Sequence, residues 1–127
     1  MKKQVITPPG APVIGPYSPA VAAGPFLFVS GQIPLRAATG ELVAGDIRAA
    51  TAQVMENIAA ILAAADFSWA DVVKTTIYLT DLADFSTVNE VYGGYFSGDY
   101  PARVTVQVAA LPRGARIEID AVAYKAP

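Results

Sequence analysis

The residues best equipped for chemistry sit in Pro101-Ala-Arg-Val-Thr-Val-Gln-Val-Ala-Ala-Leu-Pro-Arg-Gly-Ala-Arg-Ile-Glu-Ile-Asp120. Val104, Val106 and Val108 alternate with Arg103, Thr105 and Gln107, and Ile117, Ile119 and Ala121 alternate with Glu118 and Asp120. Period-two alternation predicts two strands around a turn, each with one apolar and one polar face. Arg103 opens the polar face of the first strand, and Glu118 stands near the start of the second. A guanidinium is a planar fork matched to a carboxylate, and a neighbouring glutamate can hold or deprotonate a water. A solvated sheet face with a surface ion pair would show the same pattern. The alternation alone therefore leaves a site and a bland surface both open.

Composition narrows the chemistry. The 127 residues include no cysteine and no histidine, which removes disulfides, thiolate catalysis, Ser-His-Asp chemistry and the common zinc ligand sets. Catalysis here would have to run on carboxylates, Arg, Lys, Tyr, hydroxyls and backbone amides, with no metal and no cofactor expected. The net charge is −2 and no Lys/Arg run occurs, so there is no electrostatic footprint for nucleic acid. Apolar residues make up 54% and charged residues 16%. Few charges on a small chain point to surface that becomes buried in an oligomer. Met1-Lys-Lys-Gln-Val-Ile-Thr-Pro-Pro-Gly10 lacks an apolar run of signal-peptide length, and no stretch reaches the roughly eighteen apolar residues of a membrane span. The expectation is one cytoplasmic domain over residues 1–127, with no membrane association.

The elements that must position Arg103 and Glu118 can be read in order. Pro8-Pro9-Gly10 and Ala11-Pro12 form a stiff surface lead-in, followed by the loop Val13-Ile-Gly-Pro-Tyr-Ser-Pro-Ala20, whose prolines would hold the Tyr17 ring in one direction. On local evidence alone Tyr17 reads first as a loop aromatic capping the core. Phe26 to Val29 is an apolar run read as a buried strand that ends at Ser30-Gly31. Glycine there marks a turn or a close approach by backbone or ligand. Residues 33–45 read as a loop turning at Thr39-Gly40. Asp46 is placed to cap a helix, with apolar positions 47, 50, 54, 58, 61, 62 and 65 on one stripe and an end near Ala65–Asp66. Ser68-Trp-Ala-Asp71 turns the chain into the β-branched strand Val72–Thr80. A second helix, with Asp84 as its cap, carries Phe85, Val88, Tyr92 and Phe96 on a stripe that includes Asn89. That asparagine either ties down a nearby loop or faces a pocket or another subunit. Gly93-Gly94 costs helix stability, which close packing of another chain or an early helix break would explain. The result is an α+β chain with one sheet and two helices covering one of its faces. The other face is expected to carry Arg103, Thr105, Gln107, Glu118 and Asp120 with Val122 and Tyr124.

Gly15-Pro-Tyr17, Val29-Ser-Gly-Gln-Ile-Pro34, Pro101-Ala-Arg103 and Ile117-Glu-Ile119 stand in the order and approximate spacing of the RidA (YjgF) family. From about Ile14 to Tyr124 the chain resembles that family. The resemblance implies a chorismate-mutase-like α+β fold and a homotrimer, with the sheets packed into a central β-barrel, helices outside and three clefts between subunits. It further implies hydrolysis of 2-imino acids such as 2-iminopropanoate and 2-iminobutanoate, and of their enamine tautomers, to 2-keto acids and ammonia. Such intermediates are released by PLP enzymes, which implies a functional link to them. By position, Arg103 would bind the substrate carboxylate and Glu118 would place the water. Tyr17, Ser30, Gly31, Asn89 and Thr105 would contribute to substrate binding.

Two positions depart from the pattern. Thr105 stands where some deaminase members have Cys, and Asp120 where Glu is frequent. Threonine keeps a small polar side chain and its backbone N–H, so Thr105 is expected to affect substrate preference more than the existence of imine hydrolysis. The family also holds binding proteins, members acting on other enamines, and members reported as nucleases or translation inhibitors. A non-catalytic trimer binding small keto or amino acids would use Arg103 without needing Glu118. An RNA-directed activity finds no support in an acidic chain without a basic stripe and interleaved aromatics.

Overall fold

The computed structural model describes residues 2–11, 13 and 15–126, so Pro12 of the expected lead-in and Ile14 of the expected loop lie outside the described residues. Among the described residues six strands form one sheet, with two α-helices connecting them. In chain order these are β1 (Gln4–Ile6), β2 (Ala20–Ala23), β3 (Phe26–Gln32), α1 (Ile47–Ala64), β4 (Val72–Leu79), α2 (Phe85–Gly93), β5 (Ala102–Gln107) and β6 (Ile117–Tyr124). The sheet order is β1-β2-β3-β6-β4-β5, antiparallel throughout except for the parallel pair β4/β5. The two strands of the Pro101–Asp120 block therefore do not pair with each other: β4 lies between them.

Helix α1 forms where its stripe predicts. The Asp46 carboxylate accepts the Arg48 backbone N–H at 2.9 Å, satisfying one of the orphan donors of the first turn. Val54, Met55, Ile58, Ile61 and Leu62 then pack onto Leu27, Val29, Ile77, Leu79, Ile117 and Ile119 from the sheet. Burying each such large side chain stabilises the fold by roughly 1.5–3 kcal/mol relative to exposure. Helix α2 adds Val88 and Tyr92 to the same core and is tied to α1 by the Arg48–Glu90 ion pair. Both helices thus cover one face.

Three local expectations are corrected. Phe26 to Val29 is not buried on both sides: Leu27 and Val29 enter the core while Phe26 and Phe28 remain 40% and 47% exposed on the open face. Strand β3 also continues through Ser30-Gly31 to Gln32, with a register shift between Val29 and Gln32. Asp84 stands at the N-cap position of α2 as expected, but its carboxylate makes no capping bond and takes two bonds from Arg116 Nη2 at 2.8 and 3.0 Å instead. The helix stops at Gly93, so Phe96 lies beyond its end, packed edge-on against Trp69 and tilted against Tyr92. Strands β1 and β2 are not legible in the sequence because three and four residues are too short to show a period.

The largest correction concerns the faces of β5. Arg103 pairs with Thr75 and Thr105 with Ile77, and both Thr75 and Ile77 are fully buried beneath the helices. Arg103, Thr105 and Gln107 therefore lie on the helix face, and Val104 and Val106 lie on the open face at 46% and 37% exposure. The open face does carry Glu118, Asp120, Val122 and Tyr124, as β6 buries Ile117, Ile119, Ala121 and Ala123 on its other side. β5 is an edge strand met by the polar part of the α2 stripe, so the usual rule that valines point inward fails there.

Candidate functional site

In one chain the expected site residues separate into two clusters. The first lines a cavity of about 360 Å³ with Tyr17, Ser30, Gly31 and Glu118, joined by Gln32, Ile33, Leu35, Asn57 and Pro112. The second, about 320 Å³, brings Asn89 and Arg103 together with Tyr92, Gly93, Tyr100 and Pro101. Thr105 lines neither; its Oγ1 is buried with no hydrogen-bond partner among the described residues.

The first cluster is built by strand ends and one loop. The Ser30 hydroxyl donates to the Ser18 carbonyl at 2.6 Å and its backbone N–H to the Pro19 carbonyl at 2.9 Å, which docks the Tyr17 loop against β3. Ser30 is thus engaged in holding the loop. Asn57 Nδ2 donates to the Leu35 carbonyl at 2.9 Å and fixes the opposite wall. Gly31 is required by close approach: a Cβ there would lie 2.8 Å from Glu118 Cδ and still nearer to Oε2. The group that the glycine admits is the glutamate itself.

Glu118 is part-buried and accepts no hydrogen bond from the described residues. Burial raises its pKa above the ordinary 4.5, and the Asp120 charge on the same face raises it further. Asp120 is held by Tyr78, whose hydroxyl donates to Oδ2 at 3.0 Å. That bond is the main cause of a raised Tyr78 pKa, followed by burial. A carboxylate with raised proton affinity and free lone pairs is suited to accept a proton from water.

The second cluster presents a cation. Arg103 Nη1 donates to Asn89 Oδ1 at 2.8 Å, and the guanidinium carbon lies 5.4 and 5.2 Å from the Phe85 and Tyr92 ring centroids. The bond to Asn89 is its one hydrogen bond among the described residues, so the remaining guanidinium donors are available to an anion. Among the described residues no group of three or more Asp and Glu is arranged to hold a metal ion. Among the described residues no helix is long and apolar enough to cross a membrane.

The arrangement matches one family along almost its whole length. The family described as Endoribonuclease L-PSP covers residues 9–125. The chain belongs to the RidA (YjgF) family. It is 54% identical over 125 residues to a RutC family protein of Pyrococcus horikoshii, covering 98% of this chain and 99% of that one. It is 47% identical over 126 residues to human 2-iminobutanoate/2-iminopropanoate deaminase, covering 98% and 92%. Among solved structures it superimposes on Escherichia coli TdcF with bound serine at a TM-score of 0.92, with 42% identity and 97% and 99% coverage. The single mixed sheet with two helices is therefore the RidA fold. Tyr92, Asn57 and Pro112 were not read from the sequence as site residues. Tyr92 looked like one more core aromatic on the α2 stripe, and nothing local distinguishes Asn57.

Proposed function

We propose that the chain is a RidA-type deaminase that hydrolyses 2-iminopropanoate, 2-iminobutanoate and their enamine tautomers to 2-keto acids and ammonia. The observation that carries this reading is Glu118: a part-buried carboxylate without a donor among the described residues, seated in a cavity against Gly31. The named activity of the human relative supports it. A protonated imine is electrophilic enough to need no covalent nucleophile. Arg103 holds the substrate carboxylate. Glu118 takes a proton from water as the water oxygen bonds to the imine carbon, and the C=N π pair moves to nitrogen. Glu118 then returns the proton to the carbinolamine nitrogen. The C–N bond breaks, the hydroxyl releases its proton to the departing ammonia, and the products are the 2-keto acid and ammonium.

Arg103 and Glu118 face opposite sides of the sheet within one chain, so a shared substrate requires two copies. The proposal takes that assembly to be the homotrimer implied by the family resemblance, with the Arg103 cluster of one subunit meeting the Glu118 cluster of the next. Exposed Phe26, Phe28, Val104, Val106 and Tyr124 on the open face supply apolar surface for that packing. The reading further includes supply of the imine by PLP enzymes. A second reading, a binder of small amino or keto acids without turnover, draws on the serine bound to TdcF. The deciding assay generates 2-iminobutanoate in situ with a PLP-dependent dehydratase and follows 2-ketobutanoate. Accelerated keto-acid release supports the deaminase, and an unchanged rate overturns it.

A further inference from the structure

Phe85, Asn89 and Tyr92 are spaced i, i+4 and i+7 on α2, which places them on one side of the helix. All three converge on Arg103. Tyr92 is itself fixed from beneath: it is 4% exposed, and its hydroxyl shares a 2.7 Å hydrogen bond with the hydroxyl of fully buried Thr75. Thr75 is the β4 residue paired directly with Arg103. The chain thus closes a loop of contacts, β4 to α2 to β5 and back through the ladder.

We propose that Tyr92, locked by Thr75, is a positioning residue that holds the Arg103 guanidinium in its anion-binding geometry before ligand arrives. A free arginine loses side-chain freedom when it binds an anion; here the rings and Asn89 have already restricted it, leaving its unbonded edge for a small carboxylate. The inference rests on the reading of Arg103 as the carboxylate anchor. It adds that the buried Thr75–Tyr92 bond, which makes no contact of its own with the Arg103 hydrogen-bonding edge, sets how tightly that anchor binds.

Ordering one long side chain weakens binding by about 2- to 13-fold when the cost is moved to the binding step. Calorimetry with 2-ketobutanoate as the probe should therefore show Tyr92→Phe and Thr75→Val each raising Kd by about that factor. The double variant should bind no more weakly than either single one, and Thr75→Ser should restore wild-type affinity. In imine hydrolysis the same variants should raise KM more than they lower kcat. Phe85→Leu, at a more exposed position, removes one ring without touching the Thr75–Tyr92 bond and should also weaken binding. The Arg103 Nε–H signal in NMR should be rigid in the wild type and mobile in Tyr92→Phe. Wild-type affinity in Tyr92→Phe and Thr75→Val, with binding abolished in Arg103→Ala, would overturn the positioning role and leave the anchor standing. Unchanged binding in Arg103→Ala would overturn the anchor and the positioning role together.

Discussion

Gly31 and Glu118 occupy adjoining space on β3 and β6: the carboxylate fills the volume a side chain at position 31 would need. The contact is with the far end of a flexible side chain, so a methyl group there displaces the carboxylate before it disturbs the sheet.

Gly31→Ala should consequently separate stability from activity. Gly31 does not have a positive φ, so alanine is tolerated by the backbone and can add about 0.4–1 kcal/mol through the unfolded chain. Imine hydrolysis should fall by about 10²- to 10⁴-fold as the base leaves its place. Thermal unfolding beside the imine assay checks both. Full activity in Gly31→Ala would show that the observed seat of Glu118 is not the working one.

The proposed trimer is testable through the opposed faces of the two clusters. Arg103 lies on the helix side and Glu118 on the open side, and the open side exposes several large apolar groups. Light scattering should give three times the 13.2 kDa chain mass at micromolar concentration. A stable monomer with full imine turnover would refute the two-chain site.

How much of this was legible in the sequence depends on what decided each feature. Helix α1 was readable because its period, its Asp46 cap and its burial all agree. The alternation of β6 was readable for the same reason. The orientation of β5 was not, since alternation separates two faces without saying which is covered. An edge strand whose arginine is accommodated by Asn89, Phe85 and Tyr92 can turn its valines outward. Gly31 announced a close approach, but its partner is 87 residues away in the chain, a distance only the sheet register bridges. Asp84 looked like a cap because its type and place fit, and the stronger pull of Arg116 was invisible locally. Among the expected site residues, the structure places Tyr17, Ser30, Gly31 and Glu118 around one cavity and Asn89 with Arg103 around another.

Glu118 binds its proton more tightly in the folded chain than its ordinary 4.5, through burial first and Asp120 second. Its contribution to stability is therefore most favourable below pH 4.5 and is lost as pH rises through the raised value. The base form needed for hydrolysis appears over the same interval, so the acid limb of kcat/KM, which reports the free enzyme, should lie above pH 4.5. Asp120→Asn removes the second cause and should shift that limb to lower pH, while burial keeps it above the ordinary value. A pH–rate profile that does not move in Asp120→Asn would show that the two carboxyl groups are uncoupled.

Enzyme and binder part company at Glu118→Gln. The amide keeps the size of the side chain against Gly31 and removes both the acceptor charge and the base. If Glu118 deprotonates the attacking water, 2-ketobutanoate binding through Arg103 survives while kcat falls by about 10²- to 10⁴-fold. The same variant should be more stable than the wild type at neutral pH, because a part-buried carboxylate with raised proton affinity no longer has to ionise. A binder without turnover predicts a modest change in affinity and no rate to lose. Calorimetry, thermal unfolding and imine hydrolysis on the two proteins side by side distinguish these outcomes, and equal turnover in both would remove the catalytic role assigned to this carboxylate.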